Sequence, residues 1–101
     1  MAKQTQTIMD IKVSVNPLIF TDVYIVKDMA KLMKMNTADT PFEELEDQLD
    51  LLIETGKKIF GNEQYAKIED SLRKQNDGIL PIEALGNFLG QSFEAFTPKN
   101  S

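Results

Sequence analysis

The sequence predicts a mainly α-helical fold, a small bundle of about four helices with a minor N-terminal β strand or hairpin. Three observations carry that expectation. Apolar residues recur at helical spacing through most of the chain after Asp22. Cap and turn signals at Asn16–Pro17, Thr40–Pro41, Gly61–Asn62, Asn76–Gly78 and Pro81 divide the helical stretches from one another. Period-two alternation is confined to one short stretch, Ile8–Val15.

Met1–Thr7 is polar and reads as a flexible N-terminus, with residues 8–96 as a single helical domain and 97–101 as a flexible tail. In Ile8–Val15, Ile11, Val13 and Val15 alternate with Lys12 and Ser14, the pattern of a half-buried strand. Asn16–Pro17 ends it, because proline cannot donate to a ladder. One strand is not stable alone in water. It needs Leu18–Phe20 as a hairpin partner, a second copy of the chain, or another protein.

Thr21 or Asp22 can cap Val23–Met35, whose predicted inner stripe is Val23, Val26, Met29, Ala30 and Met33. The β-branched run VYIV leaves residues 18–26 open between strand and helix. Met29, Met33 and Met35 are expected in the core, the alternative being an adaptable binding surface, since methionine re-packs readily.

Asn36–Asp39 then leads into the segment around which the chain is organised. Thr40 is placed to cap, Pro41 suits the first helical position, and Glu43 completes a capping box. Leu45, Leu49, Leu52, Ile53, Ile59 and Phe60 form the apolar side, with Leu49 and Leu52 expected in the core. Glu44, Glu46, Asp47, Asp50 and Glu54 form the wet side. Lys57 and Lys58 in the last turn and Gly61 as the stop complete a helix suited to its own dipole.

Asn62 is placed to cap a third helix through about Lys74, with Tyr65, Ile68 and Leu72 inward. Asn76–Gly78 is a turn. Pro81 opens a last helix, Ile82–Phe96, with the stripe Ile82, Leu85, Phe88, Leu89, Phe93 and Phe96. Gly86 and Gly90 weaken its interior by about 1 kcal/mol each relative to alanine. Close helix–helix approach inside the domain is the expected compensation, and a shallow groove for a partner is the alternative.

Composition narrows the function. The net charge of −5 and pI near 4.6 count against nucleic acid and against an anionic membrane surface. No apolar run is long enough to span a bilayer. Neither His nor Cys occurs, so the common metal ligands, general bases and thiol nucleophiles are missing, and a non-enzymatic role without cofactors is expected. An EF-hand register on Gly78 would put Arg73 and Ala84 where carboxylates belong. The Asp70-Ser71-Leu72 triplet of acyl carrier proteins falls inside the third helix pattern instead of opening one. The acidic run on the central helix reads as a solvated face.

Two stretches carry a resemblance. IFGNEQY at Ile59–Tyr65 and PIEAL at Pro81–Leu85, set in this order of elements over residues 8–96, resemble the small tail assembly chaperones of long-tailed bacteriophages of Gram-positive hosts. The resemblance implies a chaperone that binds the helical tape-measure protein and helps tail-tube subunits assemble around it. It implies action in the bacterial host cytoplasm and absence from the mature virion. Such chaperones are often also made as a frameshifted longer product, with which Pro98–Lys99–Asn100 is compatible. The expected partner contacts are Met29, Met33, Phe88, Phe93 and Phe96. The alternative is a small acidic regulatory or inhibitor protein with a single protein partner.

Overall fold

The computed structural model describes residues 3–34 and 39–97. Met35, the connection Asn36–Ala38, and Pro98–Ser101, with the residues compatible with a frameshift, lie outside the described residues. The rest forms a two-stranded antiparallel hairpin followed by four α-helices.

The hairpin corrects the expected strand. Ile8–Val15 is not one strand: β1 is Gln4–Ile8 and β2 is Ile11–Val15, paired from Ile8 with Ile11 to Gln4 with Val15. Met9 and Asp10, with φ of 50° and 65°, form the two-residue turn. Left-handed geometry at both positions matches the twist of the flanking strands. The partner of β2 is therefore the stretch read as a flexible terminus, not Leu18–Phe20. Those residues belong to a 3-10 turn over Pro17–Thr21, begun by the Asn16 side chain accepting from the Leu18 amide at 3.0 Å. Ile8, Ile11, Val13 and Val15 face the core.

The outer edge of β2 is closed by a side chain. Gln64 Oε1 accepts from the Ser14 amide at 2.8 Å, and its Nε2 donates to the Ser14 carbonyl at 3.0 Å. Ser14 sits in a non-hydrogen-bonded pair with Thr5, so its backbone groups point away from β1. The glutamine amide thus supplies the hydrogen bonds of a missing third strand.

Helix α1, Val23–Lys34, starts on Asp22, whose Oδ1 accepts from the amides of Tyr24 and Ile25. This resolves residues 18–26 as a 3-10 turn and the start of a helix. Its inner face is Ile25, Met29 and Leu32, not the predicted Val23, Val26, Ala30 and Met33. A run as evenly apolar as VYIV does not fix the rotational phase, and the Asp28–Lys58 ion pair at 3.2 Å turns Asp28 toward the next helix. Of the predicted stripe, only Met29 is buried.

The central helix begins later than its cap signals imply. Phe42–Glu44 is a 3-10 turn, and α2 runs Leu45–Phe60. The Thr40 hydroxyl receives Gln48 Nε2 at 2.9 Å. Leu52 is buried, whereas Leu49 is only half-buried. Gly61, with φ of 80°, stops α2 by donating to the Lys57 carbonyl at 2.8 Å. Gly61 also occupies the cap position of α3, Asn62–Gln75, so the expected cap Asn62 is already helical. Asp77 and Gly78, both at positive φ, make the turn that leads to α4, Ile82–Phe96. Helix α2 lies against α4, as the sequence predicts, and also against α1 and α3. Val13, Phe20, Ile68, Leu72, Phe88 and Leu89 form the centre of the core.

Candidate apolar groove

Helix α4 turns Leu85, Phe88, Leu89, Ser92 and Phe96 inward. Phe88 packs on Phe60 of α2 with centroids 5.8 Å apart, and Phe96 stacks on Phe20 at 5.6 Å. The expected partner surface of Phe88, Phe93 and Phe96 is therefore not one exposed face. Phe88 and Phe96 are core residues, held by rings from α2 and the 3-10 turn. Phe93 is half-buried and meets Phe20 edge-on at 5.9 Å.

The same rotation of α4 leaves Gly86 and Gly90 outward. A Cβ built on either meets nothing within 4 Å. Close helix packing inside the domain is thus not what these glycines serve, and the expected compensation is corrected on this point. Their missing side chains instead open the seam between α1 and α4. One lobe, of about 330 Å³, lies among Met29, Leu32, Met33, Leu49, Leu52 and Ile82. The next, of about 280 Å³, includes Met29, Met33, Gly86, Gly90 and Phe93. Because Met29, Met33, Gly86 and Gly90 border both lobes, the two form one furrow along α4.

Of the five residues expected to meet a partner, three line this furrow. Met29 is buried at its base, Met33 stands at its edge with 76% of its surface exposed, and Phe93 closes one end. Val26, 42% exposed and two helical turns before Met33, continues the apolar wall of α1. Leu49, Ile82 and the two glycines add to the apolar lining, and the polar side chains along it include Glu83, Asn87, Gln91 and Glu94. The sequence signal for the groove was the Gly86–Gly90 spacing, and its position followed only from the phase of α1.

A wider recess, about 690 Å³, lies between the hairpin and α3. Its lining mixes Lys3, Lys12 and Lys67 with Asp10 and Glu63, and includes the Gln64 that is committed to Ser14. Its lining is more polar than that of the furrow. Among the described residues, no three His, Cys, Asp or Glu side chains are grouped to hold a metal ion. No helix among them is long and apolar enough to cross a membrane. No family model matches the chain, and neither a curated protein nor a solved structure matches it.

Proposed function

We propose that the chain is a non-enzymatic assembly chaperone that receives an amphipathic helix of a tape-measure protein in the α1–α4 groove. The observation that carries this reading is the empty space over Gly86 and Gly90 beside the exposed Met33. Helix-in-groove binding needs an apolar trough with room for a second helix, and glycines allow its backbone close. Met33 is unbranched and free to re-pack, which suits successive non-identical segments of a long chain better than one rigid partner would. A tape-measure chain has long amphipathic helices to shield until tail-tube subunits enclose it. On this reading the chaperone acts in the host cytoplasm and leaves before the virion is complete.

Co-expression with the tape-measure protein tests the proposal. The tagged chain is expected to retain that protein, and Gly90→Leu, whose Cβ meets nothing and whose longer side chain projects into the groove, is expected to lose it. Failure of the wild-type chain to retain it, or equal retention by a folded Gly90→Leu, would overturn the proposal. Stoichiometric retention of one unrelated protein, released by the same substitution, would move the function to a regulatory or inhibitor protein.

A further inference from the structure

We infer that the occupant of the groove is a basic amphipathic helix, with small residues where it crosses Gly86 and Gly90 and Lys or Arg along one border. The inference rests on the groove being a helix site and adds the chemical class of the helix. Glu83 and Glu94 are the only charged residues in the lining of the two lobes. They are also the only charged residues of α4, and both are exposed. No ion pair among the described residues engages either of them. Among the described residues, the charge on this border is therefore left without an ion-pair partner.

The spacing is specific. Glu83 and Glu94 are three helical turns apart, so their Cα atoms lie about 16 Å from each other on nearly the same side of α4. Asn87 and Gln91 stand between them, polar and uncharged. The opposite wall, with Met29, Leu32 and Met33 from α1, is apolar. The groove thus has one acidic border and one greasy border, with a glycine floor between. A helix that fits presents an apolar ridge to the methionines and two cationic residues about three turns apart to the glutamates. The net charge of −5 favours the approach of such a segment and disfavours an acidic one.

Two labelled synthetic helical peptides test this, both with the same leucine and alanine ridge. One carries flanking lysines and the other flanking glutamates at the same positions. Binding is followed by fluorescence anisotropy at low salt and at about 1 M salt, where the Debye length falls to about 3 Å. The lysine peptide is expected to bind and the glutamate peptide to bind far less. Glu83→Gln with Glu94→Gln is expected to weaken the lysine peptide about 2- to 25-fold at low salt, as two exposed ion pairs would, and little at high salt. Gly90→Leu, with helix content and melting temperature checked, is expected to abolish binding.

Equal binding of both peptides, blocked by Gly90→Leu, would overturn the basic class and leave the groove reading standing. Lysine-peptide binding that survives Gly90→Leu in a folded protein would place the contact on the acidic face of α2 and overturn the inference. Absence of binding by either peptide would remove the helix site itself. A homodimer that Gly90→Leu dissociates would put a second copy in the groove and overturn the inference as well.

Discussion

A side chain at Gly56 has no room, because Tyr65 fills it: a Cβ there would lie 2.5 Å from Tyr65 Cε1. The ring cannot swing away, since Tyr65 is buried among the core residues of α2 and α3. Gly56 is thus the close helix–helix contact of this fold, and the glycines of α4 are something else. The contrast predicts opposite signs. Gly56→Ala should destabilise by about 1–3 kcal/mol through overpacking. Gly86→Ala and Gly90→Ala should each stabilise by up to about 1 kcal/mol, the helix-propensity difference, because their Cβ atoms meet nothing. Denaturant titration of the three variants checks this, and a loss of stability at Gly90 would mean that the seam is closed.

Gln64 is predicted to be a stability residue although its side chain is only partly buried. Besides the two bonds to Ser14, its Nε2 donates to the Phe60 carbonyl at 3.2 Å. Gln64→Ala should lower stability by about 1.5–4.5 kcal/mol, since each of the three bonds contributes about 0.5–1.5 kcal/mol net. Gln64→Glu should fall in the same range, because a carboxylate can accept from the Ser14 amide but cannot donate to either carbonyl. Hydrogen exchange at the Ser14 amide is expected to accelerate in Gln64→Ala and less in Gln64→Glu, which keeps an acceptor for it.

Leu52 and Leu49 separate stability from binding. Leu52→Ala should cost about 2–5 kcal/mol, as buried leucines do. Leu49 is half-buried and borders the groove, so Leu49→Ala should lose less stability and weaken helix binding. Phe93→Ser cannot make that separation, because the ring also packs on Phe20. A melting curve and a binding isotherm for each leucine variant decide the assignment.

Tyr65 gives a pH dependence. Burial holds its phenol pKa well above the ordinary value, and the nearby Glu69 carboxylate adds to the effect. A phenol whose folded-state pKa is raised contributes stability that is complete below its unfolded pKa of about 10. That contribution is lost as the pH rises further. Stability should therefore fall more steeply above about pH 10 in the wild type than in Tyr65→Phe. The hydroxyl meets no hydrogen-bond partner of normal geometry among the described residues, so Tyr65→Phe should be neutral or stabilising by up to about 1 kcal/mol near pH 7. Parallel denaturation curves across the alkaline range check both statements.

The helices were legible because their ends carry chemistry: Asp22, Gly61, the Asn76–Gly78 turn and Pro81 mark boundaries that local energetics alone can place. The register of Tyr65, Ile68 and Leu72 was legible because charged and polar residues fill the other side of α3. β1 was not, since Gln4–Thr7 has no apolar alternation, and Met9–Asp10 lacks the glycine that announces a two-residue turn. The phase of α1 was not legible either, because Val23, Tyr24, Ile25 and Val26 are all apolar and tertiary contacts chose Ile25. From that one rotation follows the fate of Met33, predicted inward and found at the edge of the groove. Phe88 and Phe96 lie on the apolar stripe read from the sequence and are buried there, but aromatic spacing alone does not reveal which rings Phe60 and Phe20 will claim and which stay open to a partner.

The central claim, that a helix seats between α1 and α4, is tested most directly through methionine methyl groups. Met33 and Met29 border the groove, while Met9 lies in the hairpin turn, where Gln75 holds its carbonyl at 2.9 Å. With the methionine methyl groups isotopically labelled, a helical tape-measure segment is titrated in and the methyl resonances are followed by NMR. Met33 and Met29 should shift or broaden in proportion to binding, with Met9 unchanged. Binding that moves Met9, or that leaves Met33 and Met29 unmoved, would contradict the account.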